Sequence, residues 1–134
     1  MIDDNRHGLV ARRTVLEQQG HKVTTATNGQ DGLERFQEET YDLVVTDYLM
    51  PGMTGQQVIK KIRQDKPKIP VVLLSGYVEA LGLEAGDTGA DIVLSKGPGE
   101  VQGLLRAIER LTRRIPKKAM GSAKGTKAKK AKAG

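Results

Sequence analysis

The chain has 134 residues, enough for one domain and a tail, with 37% hydrophobic and only 3% aromatic residues. It has no cysteine, which excludes disulfides and thiolate metal sites. No apolar run nears the roughly 18 residues that span a bilayer, and no charged-then-apolar leader opens the chain, so a cytoplasmic protein without a membrane partner is the default expectation. The formal charge of +6 is uneven, because seven Lys and no acid lie in residues 116–134. Residues 1–115 hold 15 basic against 16 acidic groups, so a near-neutral body carries a cationic tail.

In chain order, Met1 and Ile2 precede an acid pair, Asp3-Asp4. The segment Arg6–Gln19, closed by Gly20, reads as a first helix with the glycine a helix stop needs. "HKVTTAT" (21–27) is short and β-branched, and reads as a strand. Leu33 and Phe36 anchor a second helix, and Val58, Ile59 and Ile62 form a later apolar stripe. "YDLVVTD" (41–47) and "IPVVLLSG" (69–76) are strand-length apolar runs, as expected for strands buried on both faces, and "ADIVLSK" (90–96) reads as a further strand. Val101, Leu104, Leu105, Ile108, Leu111 and Ile115 follow helical spacing closely. The Lys/Ala-rich residues 116–134 are expected to be a disordered basic tail after a domain of residues 1–115.

Strand–helix alternation at this spacing predicts a parallel sheet flanked by helices. Chemistry in such sheets collects at the carboxyl ends of the strands. Asp3-Asp4, Asp47, Ser75 and Lys96 all stand where an apolar run stops. Each alone has a plainer reading: the acid pair as a helix N-cap, Asp47 and Ser75 as turn residues, Lys96 as a solvated strand end. Their joint occurrence at four strand ends is what the plainer readings handle badly. Carboxylates converging on one rim raise one another's pKa unless a counter-charge intervenes. A hard divalent ion, Mg²⁺ above all, provides one and pairs carboxylates with phosphate oxygens. A carboxylate is also a competent nucleophile for phosphoryl transfer. His7 and His21 have no second ligand at helical spacing and are expected to be exposed.

Together, the early "DD", "TDYLMPGMTG" (46–55), "PVVLLSGY" (70–77) and "GADIVLSK" (89–96) resemble the receiver domain of two-component response regulators. The resemblance covers about residues 1–115 and implies a flavodoxin-like doubly wound parallel sheet of order 2-1-3-4-5. It implies that Asp47 accepts a phosphoryl group from a sensor histidine kinase or a phosphotransfer protein. It further implies Mg²⁺ held by Asp3, Asp4, Asp47 and the backbone carbonyl of Leu49, with Ser75 as the switch hydroxyl and Lys96 as the phosphate-contacting cation. The expected protein is a stand-alone acceptor, not an enzyme, that signals by contact with an output protein the sequence does not name.

Three features depart from the family's pattern. Val93 stands where an aromatic gate is usual, and Gly97 follows Lys96 where a cis proline is usual. A cis bond before a non-proline residue costs about 2.5–4 kcal/mol, so Lys96–Gly97 is expected to be trans; Tyr77, close to Ser75 in sequence, is a candidate to modulate access. The first strand is nearly absent: with about 5–6 residues in a typical strand, some four apolar residues are wanting ahead of Met1, which suggests a natural start further upstream. The rival reading is a nucleic-acid-associated protein acting through its tail, which resembles linker-histone-like Lys-Ala tails and implies steeply salt-dependent nonspecific binding. A haloacid-dehalogenase-type hydrolase is disfavoured because its D-x-D motif is missing around Asp47, where position 49 is Leu.

Overall fold

Residues 1–113 are described by the structure, a computed structural model. The expected tail at 116–134 and the last stripe residue, Ile115, lie outside the described residues. Helix α1 (Arg6–Gln18) starts at Asn5, whose side chain accepts the Gly8 N–H, and ends before Gly20 at φ 93°. A left-handed residue here lets the Gly20 and His21 amides close onto the Glu17 and Leu16 carbonyls. Helix α2 (Gly29–Glu38) is capped by Asn28, and α3 (Gly55–Asp65) by a Thr54/Gln57 capping box. Two single-turn helices, α4 (Val78–Leu81) and α5 (Ala85–Thr88), are too short to show a period in the sequence. Helix α6 (Glu100–Thr112) buries Leu104, Ile108 and Leu111 of the expected stripe, leaves Val101 and Leu105 half-buried, and adds Ala107 to the buried face.

Strands β1 (Val44–Thr46), β2 (Val71–Ser75) and β3 (Ile92–Ser95) form one parallel sheet with β2 in the centre. Every residue of β1 and β2 is buried, as their unbroken apolar runs predict. Fully burying a Val or Leu side chain contributes about 1.5–3 kcal/mol, so this central pair is a large share of the core. Helix α1 packs against α6, and α2 against α3.

The start of the chain fills the place next to β1. Ile2 makes parallel bridges to Ala26 on one side and Thr46 on the other. Its N–H donates to the Val45 carbonyl and its carbonyl accepts the Asp47 N–H, both at 2.8 Å. Toward the other neighbour, Asp3 N–H donates to Ala26 O and Ala26 N–H to Met1 O, each at 3.0 Å. The segments therefore lie in the order 2-1-3-4-5, the first two represented by single bridged residues. Met1 and Ile2 are each 1% exposed.

The segment 21–27 corrects one expectation. It is extended chain with a single bridge at Ala26, not a strand. A strand exists only where a ladder runs, and here the pairing is the isolated bridge of Ala26 to Ile2. β-branched composition does not by itself make a ladder.

Candidate functional site

The carboxyl ends of the bridged Ile2 segment, β1 and β3 bring Asp3, Asp4, Asp47 and Lys96 together. Each acid offers an oxygen, and these three oxygens lie within 4.8 Å of one another. Asp3 and Asp47 are buried while Asp4 is exposed. Lys96 Nζ sits 2.7 Å from Asp3 Oδ2 and 3.3 Å from Asp47 Oδ2, so one ammonium bridges two buried carboxylates. The acid pair is not the helix cap: Asn5 caps α1, and Asp3 Oδ1 accepts the Asn5 N–H at 2.9 Å.

Asp47 is the perturbed group of this cluster. Burial first, then the neighbouring Asp3 charge, push its carboxyl up from 3.8 to about 6, against the opposing pull of Lys96 and of the Tyr48 N–H. That N–H donates to Asp47 Oδ1 at 2.8 Å. The loop after Asp47 is drawn back by Gly55 N–H donating to Tyr48 O at 2.7 Å. Gly55 has to be glycine, since a Cβ there would stand 2.1 Å from the Asp47 carbonyl oxygen. Over the cluster lies an open cleft of about 470 Å³, lined by Asp4, Asn5, Asp47, Leu49, Tyr77 and Lys96 among others.

Ser75 ends β2 on the same rim but is fully buried and does not line the cleft; its Oγ accepts the Tyr77 N–H at 3.0 Å. Lys96 N–H donates to the Ser75 carbonyl at 2.9 Å, so the two residues are adjacent through backbone. Leu49 and Tyr77 are exposed at the cleft mouth. Val93 is half-buried within β3, and the Lys96–Gly97 bond is trans, as expected. Of the histidines, His7 is exposed while His21 is partly covered.

Sequence reasoning missed Arg12 and Glu100. Arg12 is 5% exposed; its Nη2 donates to Asp3 Oδ2 at 2.6 Å and its Nη1 to Glu100 Oε2 at 3.1 Å. The signal was there, since Arg12 falls between Leu9 and Leu16 on the buried stripe of α1. A cation in an apolar stripe needs a buried anion.

Fold and site together define a parallel α/β domain whose carboxyl rim holds three clustered acids and a bridging lysine. The chain belongs to the response regulator receiver domain family, whose model matches residues 1–109. It is 33% identical over 116 residues to the alkaline phosphatase synthesis transcriptional regulatory protein PhoP of Bacillus subtilis, covering 82% of this chain and 47% of that protein. A gliding motility regulatory protein of Myxococcus xanthus is 32% identical over 115 residues, 84% of this chain and 15% of that protein. The chain thus spans less than half the length of these curated relatives. Among solved structures, a receiver domain from Clostridium thermocellum superposes with a TM-score of 0.75 at 32% identity, over 84% of this chain and 91% of that one. The response regulator TrrA of Thermotoga maritima, crystallised with Mg²⁺-BeF, superposes with a TM-score of 0.74 at 28% identity, over 82% of this chain and 94% of that one.

Proposed function

We propose that Asp47 accepts a phosphoryl group from the phosphohistidine of a sensor histidine kinase or phosphotransfer protein, with Mg²⁺ at Asp3, Asp4 and Asp47. The observation that carries this reading is the convergence of three carboxylates within 4.8 Å beside Lys96, under a cleft open to solvent. The donor set fits the ion: all-oxygen, acidic and partly exposed, which is what Mg²⁺ prefers. Asp4 is the exposed ligand, Asp3 and Asp47 the buried ones, and the Leu49 carbonyl the remaining protein donor. Bound there, Mg²⁺ supplies positive charge to the phosphoryl oxygens.

In the transfer an Asp47 carboxylate oxygen attacks phosphorus, the P–N bond to histidine breaks, and the imidazole leaves with the bond's electron pair. Burial and Asp3 push the Asp47 carboxyl up, whereas Lys96 and a bound Mg²⁺ would favour its ionised, nucleophilic form. Lys96, already on the Asp47 carboxylate, is placed to meet the incoming negative charge. Ser75 is the switch hydroxyl of this reading; its Oγ accepts the Tyr77 N–H and keeps its own proton to donate to a phosphoryl oxygen. The domain acts as a phosphoryl acceptor rather than a turnover catalyst, and exposed Leu49, Tyr77 and Leu81 supply apolar surface near the site for an output partner.

The test is incubation with a small acyl phosphate and Mg²⁺, followed by intact mass measurement. One phosphate is expected on the wild-type chain and none on Asp47→Asn or without Mg²⁺. Incorporation that survives Asp47→Asn refutes the assignment.

A further inference from the structure

We propose that Arg12 is a positioning residue which, acting through Glu100, holds Lys96 against the acid cluster; the geometry stands by itself, and the consequence for phosphorylation rests on the acceptor reading above. The contacts form a closed circuit. Lys96 Nζ and Arg12 Nη2 both donate to Asp3 Oδ2, at 2.7 and 2.6 Å. Arg12 Nη1 donates to Glu100 Oε2 at 3.1 Å, and Glu100 Oε1 accepts the Gly97 N–H at 3.2 Å. Gly97 follows Lys96 in the chain, so the circuit returns to the lysine it started from. Lys96 is thereby held at its ammonium by Asp3, and the amide that follows it by Glu100.

The loop needs such a hold. Lys96 N–H is held by the Ser75 carbonyl, but the chain leaves it through Gly97 at φ 135° and Gly99 at φ 81°, so glycine freedom begins directly after the lysine. Stability does not explain the arrangement. Position 12 lies on the buried stripe with Leu9 and Leu16, where an apolar side chain would pack without a charge to desolvate. Arg12 instead leaves its buried Nε without a hydrogen-bond partner. Room is also reserved for it. One turn earlier α1 carries Gly8, and a Cβ there would stand 3.0 Å from both Nη1 and Nη2. Only a fork with two donating ends reaches Asp3 and Glu100 together; a lysine is a single point charge and reaches one.

The experiment compares wild type with Arg12→Lys, Glu100→Ala and the double variant, with Glu100→Gln as the milder change should Glu100→Ala fold poorly. Arg13→Leu, altering an exposed α1 pair with Glu17, is the control. Amide exchange at Gly97 is followed by NMR without metal or phosphate. Arg12 does not touch Gly97, so loss of Gly97 protection in Arg12→Lys reads transmission through Glu100. At saturating Mg²⁺ and acyl phosphate, incorporation is expected to slow by about tenfold in each single variant, the smaller end of what removing an orienting contact costs. The double variant should be no slower than either single one, because both break the same circuit. Unchanged Gly97 exchange in Arg12→Lys, or losses that multiply in the double variant, overturns the proposal. Should the wild-type chain take up no phosphate, the acceptor reading fails, and the Gly97 exchange still decides whether the clamp exists.

Discussion

Replacing Asp47 by asparagine should stabilise the folded chain above pH 6 while abolishing phosphate uptake. The carboxyl is lifted from 3.8 to about 6 by burial and by Asp3. A carboxyl that holds its proton more tightly folded than unfolded contributes fully below about pH 4, and that contribution is lost as the pH rises through about 6. Each pH unit between the two values is worth about 1.4 kcal/mol, which sets a ceiling of about 3 kcal/mol for the strain of keeping Asp47 ionised. Asparagine keeps the shape and removes the charge, but its amide also gives up the attraction of Lys96, so a gain of about 1–2 kcal/mol is expected at pH 8. For a domain of this size that raises the melting temperature by about 4–8 °C. Thermal or urea unfolding of both chains at pH 8 and pH 4, without Mg²⁺, measures it. The advantage should vanish at pH 4, where the wild-type carboxyl is protonated, and Mg²⁺ at pH 8 should narrow it by binding the wild-type chain. An asparagine variant that is no more stable at pH 8, or equally more stable at both, would refute the reasoning.

Lys96→Ala removes the cation shared by Asp3 and Asp47; the Asp47 carboxyl should then titrate above about 6 by carbon-detected NMR, and phosphate incorporation should fall. Ile2→Ala should cost about 2–5 kcal/mol in urea unfolding, as other large-to-small core changes do, because Ile2 is 1% exposed and packs so closely on α2 that a Cβ at Gly32 would lie 2.4 Å from its Cδ1. Gly55→Ala should destabilise by about 2–3 kcal/mol and slow phosphate uptake together, since overpacking here moves the Asp47 backbone itself. Arg63→Ala should cost about 2 kcal/mol with little change in phosphate uptake; its guanidinium donates to the Pro67, Ile69 and Gly89 carbonyls and to Asp91, away from the rim.

The strands in the middle of the sheet were legible because burial on both faces writes an unbroken apolar run, as in Val71 to Leu74, and α6 was legible because its stripe keeps helical spacing. The segment 21–27 was misread for the complementary reason. Its β-branched residues state a preference, whereas a strand needs consecutive pairing, and the pairing formed here is the isolated Ala26–Ile2 bridge. Asp3, Asp4, Asp47 and Lys96 could be found because position at a strand end is a property of local sequence. Ser75 was found as a strand end, but the direction of its hydroxyl is set by the Tyr77 amide, which no pattern reports. Arg12 was passed over because a helical stripe is scanned for apolar residues, and the exception in the stripe carried the information. Its partner Glu100 lies 88 positions away, beyond any local reading.

The circuit through Asp3, Arg12, Glu100 and Lys96 also bears on when the domain becomes competent. Its two longest links join residues 93 and 88 positions apart, so nearly the whole domain must be synthesised before any of it can close. Contacts of such separation form late, after local helices and neighbouring strands have reduced the loop to be closed. Until then Asp3 and Asp47 lack their cations, and a partly made chain has no reason to draw its acids together. The contacts that pair Asp3 and Asp47 with their cations are thus complete only when the fold is.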